Sequence, residues 1–178
     1  MKYIITSFLL LLFIINGNTQ NVKETTHREV NIHERDSSIK ASILVKEKKI
    51  KPNIISQYYW YYNNSIKTNQ GGYKGHLLDG EYLVMAPKGD LLTKGDFKKG
   101  IKSGEWRRWD KDGFLLSVNN WKNGYKSGKE QQFKKGMLVA QYNFKRNQLD
   151  GNYKKFENTK LTETGSYKNG VLLSLIHI

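Results

Sequence analysis

The chain has 178 residues, enough for about one domain and too few for two well-cored enzymatic domains. It carries 30 Lys and Arg against 16 Asp and Glu, a net charge of +14, and contains no cysteine. The missing thiol excludes disulfide frameworks, thiolate metal sites, cysteine nucleophiles and a lipid-bearing cysteine.

The first segment reads as an address. A positive start at Met1-Lys2 leads into a nearly unbroken apolar stretch from Tyr3 to Ile15 and a polar exit at Asn16 to Gln20. That stretch is shorter than the roughly 20 residues a membrane-crossing helix needs. Residues 1–19 therefore predict a secretory signal peptide cleaved after Thr19, with an uncleaved amphiphilic anchor as the alternative. Without Lys2 the mature charge stays strongly positive. No later apolar run is long enough to span a bilayer, so no integral membrane segment is expected after cleavage, and the protein is expected to be exported, periplasmic or extracellular.

Residues 20–55 hold no aromatic residue and no glycine, and mix both signs of charge. Val22, Val30 and Ile32 are too few for a buried helical stripe, so this part predicts a polar flexible leader. Ile43-Leu44-Val45 offers a short first strand, and Lys51-Pro52-Asn53 a turn.

From Ser56 the sequence repeats. Gly80, Gly104, Gly128 and Gly151 form one column, Gly89, Gly113 and Gly136 a second, and Gly100, Gly124, Asn147 and Gly170 a third. Aromatic residues keep the same beat in Tyr73, Phe97, Trp121, Phe144 and Tyr167, and again in Tyr61, Trp109, Phe133 and Phe156 with Met85 in step. A third aromatic column holds Tyr58, Tyr82, Trp106 and Tyr153, broken by Glu130. The glycine columns are read as repeat turns, and Asn123-Gly124 as a hairpin signal, because a type I′ turn needs positive φ at both central residues. The expected fold is all-β: an elongated antiparallel meander of about five β-hairpins over residues 56–172, stabilised by stacking between neighbours. Trp106 and Trp109 would face opposite sides of a regular strand unless a bulge intervenes.

The run Gly104-Glu105-Trp106-Arg107-Arg108-Trp109, followed by Asp112-Gly113-Phe114-Leu115 and Trp121-Lys122-Asn123-Gly124-Tyr125-Lys126-Ser127-Gly128, resembles the MORN repeat, most nearly the divergent form of YwqK-type antitoxin proteins. The resemblance covers about two thirds of the chain. It implies β-hairpin repeats and a role in binding other proteins, antitoxin or immunity function included, and it supplies no catalytic residue. The chain departs from the pattern at Glu130 and at Asn158-Thr159-Lys160.

Residues with catalytic potential have simpler readings. Glu81 and Glu105 occupy equivalent positions of successive repeats, which suits structural or solvent-facing roles rather than a catalytic pair. His27, His33 and His76 lack companions at metal-ligand spacing, so no metal is expected. Asp110-Lys111-Asp112-Gly113 stops short of a calcium loop, and Gly71 to Gly75 has no helix behind it to cradle a phosphate. No cofactor and no enzymatic activity are expected.

The basic pairs Lys98-Lys99, Arg107-Arg108, Lys134-Lys135 and Lys154-Lys155 recur beside the aromatic columns, the last three at near-equivalent positions suggesting one stripe. Such a stripe suits a solubilising edge, an acidic protein or envelope polymer, or nucleic acid, which export places out of reach. The expected function is macromolecular binding, most directly of a protein, with Trp106, Trp109, Trp121, Tyr125, Arg107 and Arg108 as candidate anchors where exposed. The alternative is a basic binder of anionic membrane lipid or envelope glycan. Finally, Leu173 to Ile178 abandons the repeat and matches a translated frame of a sequencing-library transposon end, so residues 173–178 predict a non-native tail.

Overall fold

The structure, a computed structural model, describes residues 26–46 and 50–178. The signal-peptide expectation on residues 1–19 lies outside the described residues. Among the described residues no helix is long and apolar enough to cross a membrane.

The chain is all-β and antiparallel. Its strands are β1 (His27–His33), β2 (Ser38–Leu44), β3 (Gln57–Tyr62), β4 (Ser65–Gln70), β5 (His76–Met85), β6 (Leu91–Lys98) and β7 (Ile101–Trp109). They continue as β8 (Leu115–Lys122), β9 (Tyr125–Lys134), β10 (Met137–Lys145), β11 (Gln148–Leu149), β12 (Gly151–Glu157), β13 (Lys160–Lys168) and β14 (Val171–His177). From β5 onward successive strands pair in a meander, and β1 and β2 extend it on the other side of β5.

Two-residue turns set this register. Lys99-Gly100, Asn123-Gly124, Lys135-Gly136, Arg146-Asn147, Asn158-Thr159 and Asn169-Gly170 all have positive φ at both residues, as does Asn63-Asn64. That is the type I′ geometry, whose twist matches the twist of the paired strands. Thr159, at φ +67°, is the one β-branched residue among these left-handed positions.

The column Gly80, Gly104, Gly128 and Gly151 departs from the expectation of repeat turns. Gly80, Gly104 and Gly128 lie inside β5, β7 and β9, and Gly151 opens β12. Their positive φ creates a bulge in which three residues oppose one: Gly104 to Trp106 face Gly95, and Ser127 to Lys129 face Asn120. The bulge has a use. The backbone amide of Gly124 donates to Lys102 O at 3.1 Å, Asn147 to Lys126 O at 3.0 Å, and Gly170 to Leu149 O at 2.8 Å. Each turn is thus latched onto the strand of the preceding unit, two residues before its bulge glycine. Where the residue before the glycine is aspartate, its carboxylate takes a second turn amide, Asp79 from Lys99 at 2.7 Å and Asp150 from Asn169 at 3.3 Å. Gly89, Gly100, Gly113, Gly124, Gly136 and Gly170 do sit in turns or loops between strands.

A second slip recurs at the column Met85, Trp109, Phe133 and Phe156, where Leu92, Leu116, Val139 and Thr162 are extra residues on the partner strand. The register therefore does break beside Trp109.

The flexible-leader expectation for residues 20–55 is corrected over its described part. β1 and β2 form a hairpin that pairs with β5, and Val30, Ile32, Ile39, Ala41 and Ile43 are buried. The inward residues alternate with period 2, so a search for a helical stripe misses them. The hairpin β3–β4 also leaves the meander, pairing with the first residues of β5 through Trp60 and Leu77. Its run Tyr58-Tyr59-Trp60-Tyr61-Tyr62 is apolar on both sides, and both sides are covered. Tyr58 and Trp60 bury against Leu44 and Leu77, while Tyr59 and Tyr61 pack on the cluster of Ile43, Leu78, Phe97 and Trp106. At the far end, residues 173–177 lie in β14, which pairs with β13 and is exposed throughout.

Candidate interaction surface

The pleat sorts the repeat columns onto two faces. Trp106, Trp121, Tyr142, Phe144, Tyr153 and Tyr167 line one face with Lys102, Lys126 and Lys155 between them. Lys102 Nζ lies 4.2 Å from the Trp106 ring centroid, 4.8 Å from Trp121 and 5.6 Å from Tyr59. Cations are attracted to the faces of such rings. Burial, then the neighbouring Arg108 and Lys126, holds the Lys102 pKa below the usual lysine value. At the slot where the aromatic column breaks, the buried Glu130 carboxylate pairs with Lys126 and accepts from Gln132 Nε2 at 3.0 Å. A charge pair here replaces the aromatic stack of the neighbouring units.

Trp106 cannot be a binding anchor. It is 5% exposed, packs at 5.1 Å from Phe97, and donates its indole N–H to Ser103 O at 3.2 Å. Trp109, Trp121 and Tyr125 are half-buried, and Arg107 and Arg108 are exposed. Arg107 is committed to Glu105 at 2.7 Å, and Glu81, the counterpart of Glu105 in the preceding unit, pairs across the strands with Lys94 at 2.7 Å. His27 contacts Asp79 at 2.6 Å and His76 Nδ1 meets Leu44 O at 2.9 Å. Asp110 Oδ1 accepts from the amides of Asp112 and Phe114, which closes its turn. Among the described residues no group of three or more His, Cys, Asp or Glu could hold a metal.

The expected single stripe of basic pairs does not form. Arg107-Arg108 and Lys154-Lys155 are equivalent, but adjacent residues of a strand point to opposite faces, so each pair is split. Lys134-Lys135 lies at the β9–β10 turn, on the opposite edge of the sheet from Lys98-Lys99. Several of the strand cations are also neutralised, Lys155 by Glu163 at 2.9 Å among them.

A different row of cations emerges from the fold. Lys98, Lys122, Lys145 and Lys168 each precede a two-residue turn, on β6, β8, β10 and β13, and all four are exposed. Lys99 and Arg146 sit in two of the turns themselves. Lys168 lies 3.5 Å from Asp150, whereas Lys98, Lys99, Lys122, Lys145 and Arg146 have no carboxylate within ion-pair distance among the described residues. Along its first three turns this row borders an open groove of about 620 Å³, bounded by Tyr58, Ile101 and Tyr125 and by four cations, Lys98, Lys99, Lys102 and Arg146, with no acidic residue in its wall. The row was readable from the same 23–24-residue frame as the glycines. Unlike the doubled basic residues, the single lysine before each turn stands out only when the units are aligned.

No family model matches the chain, and no curated protein matches it.

Proposed function

We propose that this is an exported, non-catalytic MORN-like repeat protein that docks an acidic protein partner, as an antitoxin or immunity protein docks its target. The observation that carries the reading is the row of cations along successive turns of one edge, of which Lys98, Lys99, Lys122, Lys145 and Arg146 have no ion-pair partner among the described residues, beside a groove with cations but no carboxylate in its wall. Unneutralised charge of one sign raises the encounter rate with an oppositely charged partner and costs self-repulsion without one. Half-buried Tyr125, paired with Lys122 across its turn, lies beside this row and supplies the amphipathic contact area on which interfaces depend.

The test is capture from cell-envelope extract by the mature chain. A specific acidic protein should be retained at low salt, released at high salt, and lost from a Lys122→Gln/Lys145→Gln variant that unfolds at the wild-type temperature. Tyr125→Ala should weaken capture as well. Equal recovery by wild type and these folded variants refutes the docking surface. Stronger retention by vesicles of anionic lipid than by any protein replaces the reading with the lipid-binding one.

A further inference from the structure

We propose that the turn edge is a register-matched rail for an acidic peptide segment in polyproline II conformation, with a carboxylate at every third residue. This rests on the reading of the protein as a binder of an acidic partner, and it specifies what that partner presents.

Lys98, Lys122, Lys145 and Lys168 recur on every second strand. Neighbouring strands lie about 4.8 Å apart, so successive lysines are about 10 Å apart and the row spans about 30 Å. The latches keep the turns from splaying. Asn147 N sits 3.0 Å from Lys126 O, and Lys126 N donates back to Asn147 Oδ1 at 2.6 Å, which holds each turn against the next. A β-carbon placed on Gly124 would come 2.8 Å from Ile101 Cγ2, so that turn also rests directly on its neighbour.

An extended strand reaches about 10 Å in three residues but turns its side chains to opposite faces with period 2, so residues i and i+3 diverge. A polyproline II helix has three residues per turn and rises about 3.1 Å per residue. Its residues i, i+3 and i+6 therefore share one face at about 9.3 Å, close to the step of the lysine row. The residues paired directly with these lysines across their turns are Ile101, Tyr125, Gln148 and Val171. Ile101, Tyr125 and Val171 give the floor beside the cations an aliphatic and aromatic character, interrupted by Gln148, which suits proline-type residues between the acids, since aromatic-lined grooves are the usual receptors of this conformation. The groove bounded by Tyr58, Ile101 and Tyr125 takes the chain where it passes the Lys98 end of the row.

Fluorescently labelled peptides of equal composition, four repeats of Glu-Pro-Pro against a block of four Glu followed by eight Pro, separate register from charge. Anisotropy titrations with the mature protein at low salt should show the triplet peptide binding about tenfold more tightly, the scale of a few exposed ion pairs gained. Lys122→Gln/Lys145→Gln should abolish that preference, and Lys134→Gln/Lys135→Gln on the opposite edge should preserve it. Equal binding of the two peptides, both weakened by Lys122→Gln/Lys145→Gln, overturns the register while leaving the acidic-partner reading intact. Tighter binding of a helical peptide with glutamate at every seventh residue also overturns it. Absence of binding by any acidic peptide, with an acidic protein still captured from envelope extract, removes the rail alone. Absence of both removes the rail and the reading beneath it.

Discussion

Replacing Gly95 with alanine isolates the packing that holds the sheet together. A β-carbon at Gly95 would lie 2.2 Å from Trp106 Cδ2 and 2.3 Å from Cε2. The backbone of Gly95 is not left-handed, so the conflict is purely one of space. Trp106 cannot step aside freely, because its indole N–H is held by Asp96 O and Ser103 O, Phe97 and Tyr82 pack against the ring, and Lys102 lies across it. Overpacking of this kind costs about 1–3 kcal/mol. Complete expulsion of a tryptophan burying about 200 Å² sets an upper bound near 5 kcal/mol, at about 25 cal/mol per Å². A loss of about 3 kcal/mol should lower the melting temperature by roughly 6–12 °C in a chain of this size. Thermal unfolding followed by near-ultraviolet circular dichroism reads the effect. In a Trp106→Leu background the same alanine should cost less than about 1 kcal/mol, because the clashing ring is gone and the two sites are coupled. Gly104→Ala provides the contrast, since nothing lies within 4 Å of its added carbon and only its φ of +68° resists. That substitution should cost about 1 kcal/mol. A Gly95→Ala penalty equal in both backgrounds, or no greater than that of Gly104→Ala, refutes the argument that an aromatic side chain lies over a glycine by steric necessity.

Two further outcomes follow from local geometry. Thr159, at φ +67°, occupies the second position of a type I′ turn that glycine fills in four other turns, so Thr159→Gly should raise stability by about 1 kcal/mol in urea unfolding; unchanged or lower stability contradicts the strain. Burial, then Glu34 and Tyr59, pushes the Tyr82 hydroxyl pKa from 10.0 up to about 12. The unfolded chain therefore ionises first as pH rises, so stability should hold below pH 10 and fall between pH 10 and 12 by about 1.4 kcal/mol per unit from this group. Tyr82→Phe should flatten that part of the alkaline unfolding curve, and an unchanged slope would count against the buried phenol.

The hairpins were legible because a two-residue turn is a local requirement. Positive φ at two consecutive positions selects Asn-Gly and its relatives, so the turn column can be read without knowing what packs above it. The column Gly80, Gly104, Gly128 and Gly151 demands the same φ for a different purpose, and a glycine in isolation does not say whether the chain reverses there or bulges. The bulge exists to meet the turn of the next unit, a contact between residues more than 20 apart. Trp106 shows the same division. Its type and spacing suited an interface anchor equally well as a core residue, and the decision was made by Gly95 on the neighbouring strand, which opens the space that the indole fills.

The sequence by itself determined an all-β chain of about five hairpins, their phase, and the positions of most turns, since φ preference and period-2 alternation act within a few residues. Tertiary structure decided that β1 and β2 complete the sheet, because their few apolar residues gain value only against Leu78 and Phe97. It also decided which cations remain available. Charge is a property of composition, whereas neutralisation depends on which carboxylate lies on the adjoining strand. Pairing with Glu81, Glu105 and Glu163 occupies Lys94, Arg107 and Lys155 in the strand interiors, and Lys98, Lys122 and Lys145 beside the latched turns are among the cations left to meet a partner.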